Sequence, residues 1–213
     1  MCGRYRLARK KEILAEVFDA GDDADWAPRY NVAPDQDVPV IRQDATRPVR
    51  SLSVMRWGLV PSWATDHKAG YEMINARAET VAAKPAFREP LQSRRCLLPA
   101  DAFYEWAKGG KPKLPHCFAR ADDSVFALAG LWDRWRNARG DVLSTCSIIT
   151  TTANALVSGI HDRMPGHPGA RELRSLARSG IQENQTPSRS AETLPAPNHA
   201  KLASRAPGEF RDK

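Results

Sequence analysis

The sequence opens Met1-Cys2-Gly3-Arg4-Tyr5. Cysteine is small enough for methionine aminopeptidase to remove Met1, so the mature chain can begin with Cys2. Its α-amine and thiol then lie two carbons apart. A free α-amine titrates near about 7.7–8 and a free thiol near about 8.5, so part of each is nucleophilic close to neutrality. Such a 1,2-aminothiol captures an aldehyde in two steps. The amine forms a Schiff base, and the sulfur then closes a five-membered thiazolidine ring. No internal cysteine can do this.

Schiff-base formation needs a proton shuttle, and Glu, Asp or His serve when burial moves them toward neutrality. Glu105 stands between Tyr104 and Trp106 in an apolar stretch, where a carboxyl is costly unless it is hydrogen-bonded or functional. The alternative is a solvent-facing strand glutamate. His161 follows an apolar run in Ile160-His161-Asp162-Arg163-Met164-Pro165 and reads either as a second proton carrier or as a structural side chain. Asn75 opens Asn75-Ala76-Arg77-Ala78-Glu79. It can donate to a sugar or phosphate oxygen, and Arg77 can hold a phosphate by its fork; the competing reading is a helix cap followed by surface charge. Arg56, Trp57, Pro61 and Trp63 fall close together and suggest a stacking platform beside a cation, or else core tryptophans.

These residues need a scaffold. Ile13, Leu14, Val17 and Phe18 predict an amphipathic helix over 10–18. Residues 27–34 are bracketed by prolines and read as extended. Strands are expected at 38–41, 52–57, 96–99, 103–106, 125–132 and 142–151, with the 96–99 and 103–106 pair joined by a turn through Ala100 and Asp101. A short helix is expected at 75–83, stopped before Pro85, and another after a Thr152 cap, carrying Leu156, Val157 and Ile160. Many short strands with few helices predict an α+β fold around a folded-over or barrel-like sheet. After Pro165 large apolar residues become sparse. Residues 1–181 read as one domain and 182–213 as a disordered tail.

With 213 residues and 42% hydrophobic content, the chain can bury one good core. No apolar run is long enough for a membrane span, and the start lacks a signal-peptide core, so a cytoplasmic protein is expected. Of four cysteines, Cys96 and Cys146 read as core and Cys117 as inert. Their spacing fits no zinc site, and no metal or cofactor is expected. The net charge of +7 gives a field that attracts polyanions.

Seven segments occur in order: the opening pentapeptide, Arg29-Tyr30-Asn31-Val32-Ala33-Pro34, Arg56-Trp57-Gly58-Leu59-Val60-Pro61, Asn75-Ala76-Arg77-Ala78-Glu79, Arg95-Cys96-Leu97-Leu98-Pro99, Phe103-Tyr104-Glu105-Trp106 and His161-Asp162-Arg163-Met164-Pro165. Together they closely resemble the SOS response-associated peptidase (SRAP) family over residues 2–165. The resemblance implies a barrel-like, mostly antiparallel sheet with a few flanking helices and a positive channel for single-stranded DNA. It also implies that mature Cys2 joins the ring-opened aldehyde of an abasic site as a thiazolidine. Asn75 would position the sugar, Glu105 would serve as acid and base, and His161 would assist proton transfer. Arg4 and Arg77 would hold the flanking phosphates, and Trp57 and Pro61 would lie near the strand's path. The family name implies a self-processing peptidase activity that exposes Cys2. The expected partner is single-stranded DNA containing abasic sites, bound by a monomer that joins the nucleoid when on DNA. One departure stands out: in the family the segment after His161 runs into further apolar structure, whereas here Pro165 leads into Gly166-His167-Pro168-Gly169-Ala170 and a polar tail, as a frameshift or truncation would produce.

Three rival readings share these features. An N-terminal-nucleophile amidohydrolase would use the Cys2 thiolate on an amide with its own α-amine as base. A non-catalytic single-stranded DNA module would rest on charge and tryptophans alone. A relic that no longer folds would follow from the altered C-terminal segment.

Overall fold

A computed structural model describes residues 2–21, 24–43, 49–107, 114–168 and 202–205. In chain order the strands begin β1 (Arg4–Leu7), β2 (Ala20–Gly21), β3 (Arg29–Val32), β4 (Asp37–Gln43), β5 (Arg50–Trp57) and β6 (Asn75–Arg77). They continue β7 (Arg95–Ala100), β8 (Ala102–Trp106), β9 (Pro115–Arg120), β10 (Phe126–Arg136), β11 (Val142–Thr152), β12 (Arg163–Pro165) and β13 (Leu202–Arg205). Among the described residues three helices accompany them, α1 (Lys11–Phe18), α2 (Pro85–Ser93) and α3 (Ala155–Ser158), and a 3-10 segment covers His67–Glu72.

The larger sheet runs β12-β11-β10-β7-β4-β5-β2, with β6 also on β11. A parallel pairing of β5 with β11, Thr145 opposite Arg56 and Cys146 opposite Trp57, closes it into a barrel. The other barrel contacts, β4–β5, β4–β7, β7–β10 and β10–β11, are antiparallel. Alternation along each strand sends Val38 and Val40, Met55 and Trp57, Leu98, Leu128, Cys146 and Ile148 into one buried cluster. The smaller sheet runs β13-β9-β8-β1-β3 and contributes Tyr5, Leu7, Phe103 and Phe118 to the same cluster. This is the expected α+β, barrel-like architecture.

Several local readings change. Residues 75–83 do not form a helix. Asn75–Arg77 is a strand parallel to β11, with Ile148 opposite Asn75, because tertiary pairing with β11 overrides the local preference of so short a segment. Pro85 starts α2 instead of stopping a helix, since its fixed φ and missing N–H suit the first helical turn. The cap of α3 is Asn154, not Thr152; its side chain accepts from the Val157 amide at 3.0 Å. Strands β7 and β8 follow one another directly but enter different sheets. Within the segment 182–213 that composition reads as disordered, Leu202–Arg205 pairs antiparallel with β9; the rest of that segment and residues 171–178 lie outside the described residues. Just beyond Pro165, Gly166 still docks on the barrel, its amide donating to Ile149 O at 2.8 Å and its carbonyl accepting from Ala129 N at 2.7 Å.

One close approach positions the strand that carries Asn75. Gly58 has φ +138°, and a Cβ there would stand 2.7 Å from Gly70 O. The backbones meet because neither residue has a side chain. This contact sets the chain so that Leu59 N donates to Met73 O at 3.2 Å and Trp57 Nε1 to Ile74 O at 2.9 Å. Gly58→Ala is expected to destabilise the protein by about 2–4 kcal/mol through left-handed strain and the backbone clash, read from the urea midpoint at unchanged slope.

Candidate active site around Cys2

Strand β1 places Cys2. It lies between β8 and β3 in the smaller sheet, with Arg4 opposite Tyr104 and Tyr5 opposite Phe103. Asp101 anchors its far end. This carboxylate is 1% exposed and accepts from the Ala8 amide through both oxygens, at 3.1 and 2.9 Å. Its own amide donates to Arg6 O at 2.9 Å, and Arg6 Nε lies 3.5 Å away. The segment preceding β1 is therefore held from one side by strand pairing and from the far end by a charged clamp.

Cys2 is fully buried, and its carbonyl accepts from Asn75 Nδ2 at 2.9 Å. That bond joins the N-terminal segment to β6 on the barrel. Burial, then the charge of Glu105, push the Cys2 thiol up to about 12, against the smaller opposing pulls of the chain's α-ammonium and the Arg4 amide. Glu105 is 3% exposed and shares the inward face of β8 with Phe103 by alternation. Burial raises its carboxyl to about 7. The reading of Glu105 as a solvent-facing glutamate does not hold. The pair thus combines a thiol kept protonated at neutral pH with a carboxyl that can both give and take a proton there.

His161 follows α3, its amide donating to Val157 O at 2.9 Å. Its Nδ1 lies 2.9 Å from the Arg163 amide, which donates to it, and 3.0 Å from Asp162 Oδ1. Asp162, next to it, is felt electrostatically by Glu105, and Ile160 packs against the cluster that contains Cys2. The His161 turn and the Asn75 strand are locked together by Arg163. Its guanidinium makes a forked pair with Glu79 at 2.7 and 3.0 Å and donates to Thr150 O at 2.6 Å. Sequence reasoning missed this clamp, and the Asp101 clamp as well. The signal for the first was present only as two motifs containing one acid and one arginine.

Of the other sequence candidates, Arg77 is exposed on β6, on the same side of the strand as Asn75 by alternation. Arg4 is half-buried. Trp57 is not a platform: it is fully buried, with its ring 5.4 Å from that of Tyr5, because the phase of β5 turns it into the barrel. Pro61 is buried too. Arg56 is engaged by Asp37 at 3.1 Å and Asp35 at 3.5 Å. In that segment the tryptophan with a free face is Trp63, 65% exposed. Among the described residues no group of three His, Cys, Asp or Glu side chains is placed to hold a metal, and no helix is long and apolar enough to cross a membrane.

A mostly antiparallel barrel with a second sheet that holds Cys2 against the half-buried Asn75 and the buried Glu105 defines an α+β protein with a candidate thiol site near its N-terminus. A sequence model described as SOS response associated peptidase (SRAP) matches residues 1–200, and the chain belongs to that family. The abasic site processing protein YoqW of Bacillus subtilis (strain 168) is 46% identical over 169 residues, which span 78% of this chain and 75% of the relative. The abasic site processing protein HMCES of Gallus gallus is 35% identical over 169 residues, covering 66% of this chain and 50% of that longer protein. Among solved structures, a protein from Bacteroides thetaiotaomicron superposes with TM-score 0.77 at 28% identity over 85% of this chain and 83% of its own. One from Bordetella bronchiseptica does so with TM-score 0.76 at 26% identity over 96% and 99%.

Two outcomes follow for stability. The folded-state value of Glu105 lies above its ordinary one, so folding is favoured with the carboxyl protonated. That contribution is complete below about pH 4.5 and is lost as pH rises through about 7. Glu105→Gln should remove this decline, so that the gap between variant and parent widens by up to roughly 3 kcal/mol between pH 4 and pH 8, followed by urea titration at each pH. Arg163 and Glu79 should show a coupling of about 1 kcal/mol in a double-mutant cycle with alanine; additive effects would mean the fork does not join the two segments.

Proposed function

We propose that this protein recognises abasic sites in single-stranded DNA and shields them by a covalent link to Cys2 once Met1 is removed. The observation that carries this reading is the burial of Cys2 beside Asn75 and Glu105. The names of its relatives point to the same substrate. In this reading the peptidase character in the family name concerns self-processing that exposes Cys2. The protein works as a monomer in the cytoplasm and joins the nucleoid on its DNA.

The proposed chemistry assigns each group a task. The Cys2 amine adds to C1′ of the ring-opened sugar, and Glu105 as an acid helps the carbinolamine lose water. The thiol then adds to the resulting iminium carbon, and the Glu105 carboxylate takes the thiol proton. A thiol held near 12 is almost entirely protonated at neutral pH, so a neighbouring base is required for ring closure. Asn75 fixes the Cys2 carbonyl, and thereby the direction in which the amine and thiol face the sugar. His161 assists proton transfer from the far side. Arg4 and Arg77 hold the phosphates that flank the lesion, and Pro61 supports the wall of the channel from within. Trp57 serves there as a packing residue under Tyr5.

The closed ring explains the shielding. An open abasic aldehyde, or its Schiff base, acidifies the adjacent carbon and lets the phosphate leave by β-elimination. The saturated thiazolidine has no such electron sink, so the strand stays intact. The high thiol value weighs against the amidohydrolase alternative, which needs a ready thiolate.

Met1-free protein incubated with an oligonucleotide holding one abasic site should give a heat-resistant adduct whose mass is the sum of the two minus one water. Cys2→Ala should abolish it, and Glu105→Gln should slow it by roughly 100-fold or more. The rate should peak near the Glu105 value of about 7 and fall on either side. Equal binding of intact and abasic strands with no adduct would sink the proposal and favour a plain single-strand module.

A further inference from the structure

Of the groups assigned to the reaction, Cys2 and Glu105 are buried and Asn75 is half-buried, whereas a strand of DNA would lie outside them. Cys2 and Glu105 are at most 3% exposed, and Asn75 reaches Cys2 directly. Arg77, by contrast, is exposed. The buried groups can therefore touch one sugar and little else. Two further atoms refine what that sugar must carry. Asn75 Oδ1 and Arg4 Nε are both buried without a hydrogen-bond partner among the described residues. One is an acceptor beside Cys2, and it asks for a hydroxyl hydrogen. The other is a cationic donor two residues along β1, and it asks for a hydroxyl or phosphate oxygen. Buried polar atoms of this kind are rare in folded proteins and are commonly completed by a ligand. No base, second phosphate or neighbouring nucleotide is called for.

We infer that the same site captures free, phosphorylated hydroxyaldehydes, with 2-deoxyribose 5-phosphate as the simplest example. The inference rests on the aminothiol reading of Cys2 given above. The Cys2 nitrogen bonds to C1 of the open-chain sugar and the sulfur bonds to the same carbon. One hydrogen from the nitrogen and the hydrogen of the thiol leave with the carbonyl oxygen as water. No oxidant or reductant takes part. The Asn75 Oδ1 acceptor receives a sugar hydroxyl, and the Arg4 guanidinium receives the phosphate. The DNA strand, on this view, supplies local concentration through the outer cations, while recognition of the reacting unit is complete without it. Free sugar phosphates are then competitors that consume the protein one molecule per chain.

The test uses Met1-free full-length protein and millimolar 2-deoxyribose 5-phosphate at pH 7, followed by intact mass. The expected product is the protein plus one sugar phosphate minus one water, absent in Cys2→Ala. Chains so modified should lose abasic-DNA crosslinking in proportion to their occupancy. The folded protein should react at least roughly 10-fold faster than the peptide Cys-Gly-Arg-Tyr, since any N-terminal cysteine has some reactivity of its own. Unphosphorylated 2-deoxyribose should react roughly 10-fold more slowly than its phosphate, and Arg4→Ala should erase that difference. If abasic DNA crosslinks while the sugar phosphate gives no adduct, or reacts no faster than with the peptide, this inference is overturned and the DNA reading stands. Equal rates for the two sugars overturn the role of the phosphate. If neither DNA nor sugar phosphate forms an adduct, both readings fall.

Discussion

The organisation of this protein depends on strand β11 and the pairings along its edges. Its Val142–Ile148 half forms a long antiparallel ladder with β10. The opposite edge takes two short parallel partners, β5 at Thr145 and Cys146 and β6 at Ile148 to Thr150. The first closes the barrel. The second holds Asn75. Parallel pairings require long connections, and the connection here runs from Trp57 through the Gly58–Gly70 contact to Asn75. The barrel and the reactive centre are thus fixed by one strand, and the glycine contact sets the length of chain between its two parallel partners.

Burial then shapes the chemistry. Taking a thiol and a carboxyl out of water disfavours both charged forms. For Cys2 this removes a standing thiolate, which protects the side chain from adventitious reaction. For Glu105 the same effect moves the carboxyl to the pH at which it can serve in both directions. The charge of Glu105 adds to the shift of Cys2, so the two cannot easily be charged together. In the proposed ring closure, a proton passed from sulfur to carboxylate as the thiol adds to the iminium would neutralise both charges in the buried space. The environment that makes the resting state unreactive would therefore favour the proposed step in which the thiol is consumed.

Much of the barrel was legible from sequence because its long strands obey a two-residue period. The stretches expected at 125–132 and 142–151 emerge as β10 and β11, extended by a few residues, and the helix expected at 10–18 is α1. Short elements were not legible. Asn75–Arg77 is too brief for periodicity to decide, and its partner lies more than 70 residues away, so tertiary pairing settled what local preference left open. Trp57 shows the opposite limit. Aromatic density suggested a surface, but the phase of β5 relative to the barrel axis decides burial, and no local pattern encodes that phase. Cys2 and Glu105 could be singled out from residue type and setting, and the apolar neighbours of Glu105 foretold its burial. The clamps made by Asp101 and by Arg163 with Glu79 were not legible, because each joins segments remote in sequence.

The position of β1 bears on how a residue so near the chain's start could serve in the proposed reaction. Chain ends usually fray because little holds them. Here the first strand begins at Arg4 and sits inside its sheet, between β8 and β3, so pairing on both edges resists fraying. Asp101 secures its far end, and the Asn75 bond to the Cys2 carbonyl secures the near one. Ordering these residues costs conformational entropy when the protein folds, before any substrate arrives. The proposed reaction, which would use its thiol once per chain, could not recover such a cost over many turnovers. It would gain instead from having the amine, the thiol and the proton carrier already aligned when a short-lived open aldehyde comes within reach. A mobile terminus would carry the same functional groups, yet it would meet the aldehyde in the wrong geometry most of the time.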